Sequence, residues 1–164
     1  MSTFRLCFPL AAALALFGCA SFYSGSGLVP GVSTGADVAA DMGRPAEIIK
    51  LPGGESLWTY PRGLGRQTYA VRLGADDRVR SLSQVLTLQN LARLEPGRST
   101  PEDVKLLLGP PFRTTEMARL RRDVWEYYLY EDTRPIIVYL QFDPSRRLRE
   151  VLRIDDPSST NLGA

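Results

Sequence analysis

An internal duplication constrains this chain more than any other feature. Pro30-Gly31-Val32-Ser33-Thr34-Gly35-Ala36-Asp37-Val38 returns 66 residues later as Pro96-Gly97-Arg98-Ser99-Thr100-Pro101-Glu102-Asp103-Val104. Met42-Gly43-Arg44-Pro45 returns at the same spacing as Leu108-Gly109-Pro110-Pro111. Trp58-Thr59-Tyr60 then answers Trp125-Glu126-Tyr127, and Tyr69 to Leu73 answers Val138 to Phe142. Arg78-Val79-Arg80 answers Arg147-Leu148-Arg149. The order is kept and the offset drifts by only a few residues, as loop insertions produce. A unit of this size buries only about 60 % of its unfolded surface and is marginal alone. The two copies are therefore expected to pack on each other and share a core.

The repeated residues have local physical readings. Thr34 and Thr100 suit helix N-caps, where a hydroxyl accepts an orphan backbone N–H. Asp37 and Asp103 fall three residues on, where a carboxylate meets the positive end of the helix dipole. Pro101 fits the first helical position, because its missing N–H has no partner to lose there. Val38 and Met42, like Val104 and Leu108, are four apart and share a face. Gly43 and Gly109 suit a left-handed stop, and the prolines behind them prevent continuation. Each repeat thus opens with a helix of two to three turns.

Antiparallel strands are expected to follow: Ser56 to Tyr60, Gln67 to Leu73 and Val79 to Leu86 in the first copy. In the second they span Val124 to Tyr130, Ile136 to Phe142 and Leu148 to Ile154. Gly-, Pro- and Asp-rich loops separate them. Leu86 to Leu94 reads as a helix leading into the second copy, and Asp155 to Ala164 as a polar, disordered tail. The fold class is α+β, with two tandem repeats of short helices on a three-stranded antiparallel sheet.

The N-terminus supplies a compartment. Arg5 precedes an apolar run from Leu6 to Phe17, long enough for a signal-peptide core and too short to span a bilayer. It ends in Leu16-Phe17-Gly18-Cys19, which resembles the lipobox of bacterial lipoproteins, with Phe17 larger than that position usually carries. The resemblance implies cleavage before Cys19 and acyl chains on its sulfur, durable when two or more chains are attached. Ala20 after the cysteine implies export to the outer membrane, facing the periplasm. The expected organisation is a signal peptide over 1–18, lipidated Cys19 and tether over 19–27, repeats over 28–86 and 87–156, and a tail over 157–164. Cys7 leaves with the signal peptide, so no disulfide is expected in the mature domain.

Chemistry is narrowed by what is missing. The chain has no histidine, and its formal net charge is +2, close to +1 once Arg5 is removed. Nucleic-acid binding normally requires a strong basic excess, so that partner is not expected. Without histidine and with its one mature cysteine acylated, the chain lacks the usual metal ligands and general base. No metal, cofactor or enzymatic activity is expected. Asp76-Asp77, Glu131-Asp132 and Asp155-Asp156 read as turn and tail residues.

Gly-x-Ser/Thr-x-x-x-Val, Gly-x-Pro, Trp-x-Tyr and a hairpin ending in an arginine-bearing strand together resemble the SmpA/OmlA (BamE-like) outer-membrane lipoprotein family. The matching stretches are Gly31 to Pro45, Trp58 to Leu82, Gly97 to Pro111 and Trp125 to Val151. The resemblance implies a helix pair on a three-stranded sheet in each repeat. The tandem form resembles the architecture of the β-lactamase-inhibitor protein family. The implied role is a protein-binding or scaffolding module in outer-membrane protein assembly or envelope integrity, with the β-barrel assembly machinery as a candidate partner. The alternative is an inhibitor or regulator of a periplasmic enzyme.

Two features are candidates for partner contact. Tyr128 and Tyr130, with Tyr139 on a neighbouring strand, lie opposite the core-facing Trp125 and Tyr127. They form an aromatic face, unless the other repeat covers it. Arg62 and Arg66 flank a flexible Gly63-Leu64-Gly65 tip, suited to lipid phosphates or an acidic partner, or to a plain hairpin loop.

Overall fold

The computed structural model describes residues 25–158. The expected signal peptide (1–18), Cys19, the tether up to residue 24 and the tail from residue 159 lie outside them. The protein is α+β. Helix α1 (Gly35–Met42) precedes strands β1 (Glu47–Lys50), β2 (Ser56–Arg62), β3 (Gln67–Leu73) and β4 (Val79–Gln84). A single turn, α2 (Leu88–Leu91), leads to α3 (Pro101–Leu108), β5 (Arg113–Met117), β6 (Arg122–Glu131), β7 (Arg134–Phe142) and β8 (Leu148–Asp155). The strands form two antiparallel sheets, β1-β2-β3-β4 and β5-β6-β7-β8, each in chain order.

The duplication is written into the hydrogen bonds. Both helices carry the expected threonine cap, closed into a capping box: Asp37 N donates to Thr34 Oγ1 and Asp103 N to Thr100 Oγ1, and each aspartate also accepts from its cap residue's backbone N–H. Gly31 N donates to Val79 O, and Gly97 N to Leu148 O. Val79 N donates to Ser33 O, and Leu148 N to Ser99 O. Arg78 reaches Val32 O at 2.5 Å, and Arg147 reaches Arg98 O at 2.6 Å.

Several expectations change. Each sheet has four strands rather than three. The added edge strands are short, and β5 is exposed at every position, so it carries no apolar alternation to read. Among the described residues the first repeat holds one α-helix and a single 3-10 turn (Pro52–Gly54), not a helix pair. The helix expected over Leu86 to Leu94 shrinks to one turn capped by Thr87, while Leu86, Leu91 and Leu94 still pack inward. Gly43 and Gly109 do have positive φ (79° and 80°), but with ψ of −157° and −169°. That extended region is essentially open to glycine alone. The tether begins to pack at Gly25, which is buried. The tail is structured through Ser158, as described below.

The expected shared core is replaced by two clusters. Val38, Met42, Tyr60, Val71, Leu73 and Val79 pack between α1 and the first sheet. Val104, Leu108, Tyr127, Leu129, Val138, Leu140 and Phe142 pack between α3 and the second. The repeats meet instead through the other face of the first sheet, whose Thr59, Thr68 and Ala70 are buried although they point away from its cluster. A Cβ placed on Gly109 would lie 2.6 Å from Thr68 Cγ2. Lys105 of α3 pairs with Glu47 of β1 at 2.5 Å. Asn90 Nδ2 donates to Val85 O and Leu107 O, tying the connection to α3. The second repeat thus lies against small side chains of the first, which allow close approach.

Candidate functional site

The two sheets differ on the faces that point away from their clusters. In the first sheet that face is small and buried around Thr59, Thr68 and Ala70, where the second repeat meets it, and shows only polar Arg72, Ser81 and Ser83 beyond. In the second, register places Val124, Glu126, Tyr128 and Tyr130 of β6 beside Ile137 and Tyr139 of β7, with Leu152 and Ile154 of β8 beyond. Glu126 and Ile137 are buried at its centre, while Tyr130 is 49 % exposed, Leu152 42 % and Ile154 39 %. Alternation sends Trp125, Tyr127 and Leu129 to the cluster and leaves these residues outside.

The hairpin between β2 and β3 of the first repeat reaches across one side of this face. The Arg66 guanidinium sits 5.3 Å from the Tyr128 ring centre and 5.2 Å from that of Tyr130, within range of cation–π attraction. It also forms an ion pair with Asp156, which is 4 % exposed. Ser158 N and Oγ donate to the other carboxylate oxygen of Asp156 at 2.9 and 2.7 Å. The Ser158 hydroxyl and then Arg66 hold the Asp156 carboxyl down at about 2. Residues 156–158, expected as the tail's beginning, are therefore a latch between the repeats.

Phe112 closes the same side. Its ring meets Tyr128 edge-on at 4.7 Å, and a Cβ on Gly65 would lie 2.6 Å from it. A groove of about 440 Å³ runs between the hairpin tip and Pro110-Pro111-Phe112. Tyr128 donates its hydroxyl to Glu126 Oε1 at 2.6 Å. That bond, followed by burial, raises the Tyr128 pKa, and burial raises that of Tyr139.

The residues singled out in the sequence are thus only partly assembled. Arg66, Tyr128 and Tyr130 form one cluster, and Tyr139 shares their face two strand positions away through Glu126. Arg62 turns towards α1: its Nη2 donates to Met42 O at 2.7 Å, capping that helix, and its guanidinium lies 5.4 Å from the Tyr60 ring centre. The aromatic face is neither fully covered nor fully free, because the hairpin occupies one side and β8 the open one. Glu126 lies on that face with Tyr128 and Tyr130, as alternation expects, whereas Phe112, Leu152, Ile154 and Asp156 were missed. Asp156-Pro157-Ser158 repeats Asp143-Pro144-Ser145, where Ser145 N donates to Asp143 Oδ1 in the same way. That recurrence was a readable signal of order.

A second, wider cleft of about 760 Å³ is lined by Arg93, Glu95, Arg98, Asp103 and Arg147 among others. Its arginines are engaged with Asn90, Glu95 and the Arg98 carbonyl. Among the described residues no group of three or more Asp, Glu, His or Cys side chains is placed to hold a metal, and no helix is long and apolar enough to cross a membrane.

The geometry defines an α+β protein of two tandem antiparallel-sheet repeats with one open apolar face. No family model matches the chain, and no curated protein matches its sequence. Among solved structures it is similar to the DUF4309 family protein YjgB of Bacillus subtilis (19 % identity, 80 % of this chain and 84 % of that one, TM-score 0.31). It is also similar to an extracellular protein containing a SCP domain from Bacillus anthracis (13 % identity, 97 % of this chain, TM-score 0.30), and spans 50 % of that protein. A third is a candidate β-lactamase inhibitor protein from Streptococcus mutans (13 % identity, 75 % of this chain and 83 % of that one, TM-score 0.27). At these scores none bears on function.

Proposed function

We propose that the protein is a lipid-anchored, non-enzymatic module of the bacterial outer membrane that binds another envelope protein on the outer face of its second sheet. The observation that carries this reading is the contrast between the two sheets. On its outer face the first buries Thr59, Thr68 and Ala70 and exposes polar Arg72, Ser81 and Ser83, whereas the second leaves Tyr130, Leu152 and Ile154 open beside Tyr139. Half-exposed aromatic and aliphatic side chains rimmed by charge have the composition of a docking surface. Aromatic residues also dominate the energy of such contacts. The lipobox ending at Cys19 supplies the location, and the resemblance to SmpA/OmlA lipoproteins supplies the setting: assembly of outer-membrane proteins or upkeep of the envelope.

The test is a crosslinked pull-down from membranes of cells carrying the tagged protein, with Cys19→Ser as control. Recovery of barrel-assembly subunits with the wild type, reduced in the variant, is the expected result. Absence of those subunits would remove the assembly role. Recovery of one soluble periplasmic enzyme in their place would move the reading to inhibition or regulation.

A further inference from the structure

The tip of the β2–β3 hairpin is locally at odds with its own stability. Leu64 holds φ of 55° and is 90 % exposed. Positive φ is uncommon for a side chain of this kind, where glycine or asparagine would sit without strain. Exposure also wastes the apolar surface that would favour burial. A residue that violates two local preferences at once marks a place where function outweighs folding. Phe112, 50 % exposed, and the Pro110-Pro111 corner extend the same apolar end.

The beginning of the packed chain lies within reach of this end. A Cβ on Gly25 would lie 3.0 Å from Met42 Sδ, and Met42 O accepts from Arg62 Nη2, two residues before Leu64. Cys19 is six residues before Gly25, so its sulfur can lie no farther than about 25 Å from that point. The opposite end of the first repeat also exposes apolar side chains, Val29 and Val32. It is rimmed, however, by Asp37, Asp76 and Asp77, and its Arg78 and Arg80 are engaged with Val32 O and Asp76. Acids face an anionic lipid surface unfavourably; Arg62 and Arg66 flank Leu64 with their guanidiniums engaged by Met42 O and Asp156, so the tip offers its leucine rather than free charge.

The geometry points to the Leu64 tip as a second membrane contact, seated in the lipid interface beside the acyl anchor. This rests on the lipoprotein reading of Cys19. Two attachment points fix the orientation of a domain that one flexible tether would leave tumbling, and they hold the second sheet's open face at a set angle to the bilayer. An apolar tip needs to enter only about 5–10 Å to reach the acyl boundary.

The test uses the full, acylated protein reconstituted in vesicles of phosphatidylcholine and phosphatidylglycerol. Leu64→Cys, Val32→Cys and Leu152→Cys are each labelled with bimane, since the acylated Cys19 thioether does not react. Lipids brominated near the glycerol end of the chain should quench the label at position 64 at least about twofold, as interfacial depth requires. Labels at 32 and 152 should stay unquenched. An unquenched label at 64, or quenching at 32 instead, overturns the proposal while the anchor stands. Mass spectrometry of the same sample separates the two ideas: a protein without the diacylglyceryl mass removes the anchor reading and this contact with it.

Discussion

The duplication provides an internal control for how closely the repeats approach. Gly43 and Gly109 end equivalent helices with nearly equal backbone angles, φ 79° and ψ −157° against φ 80° and ψ −169°. A Cβ at Gly43 meets nothing within 4 Å, whereas one at Gly109 would lie 2.6 Å from Thr68 Cγ2 across the junction. Gly43→Ala should therefore lose only the backbone term, about 1–3 kcal/mol for a side chain in this region. Gly109→Ala should lose the same plus the overlap, about 1–3 kcal/mol more for overpacking a close contact. Thr68→Ser deletes the opposing methyl and keeps the hydroxyl, so in the Gly109→Ala background it should return most of that excess. Urea unfolding is readable in both halves, because Trp58 packs against the first cluster and Trp125 against the second. Equal losses from the two alanine variants, or no relief from Thr68→Ser, would refute the close approach of the repeats at this point.

Three further outcomes follow from the same geometry. Tyr127 donates its hydroxyl to Gly109 O at 2.9 Å, while the equivalent Tyr60 hydroxyl is buried with no hydrogen-bond partner among the described residues. Tyr127→Phe should destabilise by about 1–3 kcal/mol by stranding a buried carbonyl, and Tyr60→Phe should be neutral or stabilising in the same urea assay. Burial pushes Tyr60 up to about 12, so its phenol should resist ionisation in an ultraviolet titration past the point where exposed tyrosines have titrated. Asp156 is held at about 2, below its ordinary value of 3.8, so its contribution is complete above that ordinary value and is lost as pH falls through about 2. Asp156→Asn should flatten that part of the acid limb, as read from urea midpoints between about pH 2 and 5; an unchanged limb would mean the latch does not stabilise the fold.

Much of this architecture was legible because its signals are local. The threonine caps, helix lengths and three strands of each sheet follow from residues three or four apart, or from strict alternation. What escaped lacked a local pattern. β5 (Arg-Thr-Thr-Glu-Met) is exposed throughout, so alternation had no apolar side to mark. The α2 segment is rich in leucine because it packs into the second cluster, and that composition imitated a longer helix. The site divides in the same way. Period-two alternation separated Tyr128 and Tyr130 from Trp125 and Tyr127. The Arg66–Asp156 latch joins residues 90 apart, a pairing that no window along the chain contains. Arg62 and Arg66 looked equivalent as flanks of one loop, yet the hairpin's twist sends one to a helix end and the other onto the tyrosines.

The docking face is tested most directly by photocrosslinking in living cells from a benzophenone amino acid at Leu152, with Ser81 as control. Ser81 is also exposed on a sheet but belongs to the first repeat. The account predicts one dominant adduct with an outer-membrane assembly or envelope protein from position 152 and none from position 81. Adducts from position 81 alone, or the same pattern from both positions, would contradict the assignment of the second sheet's outer face as the binding surface.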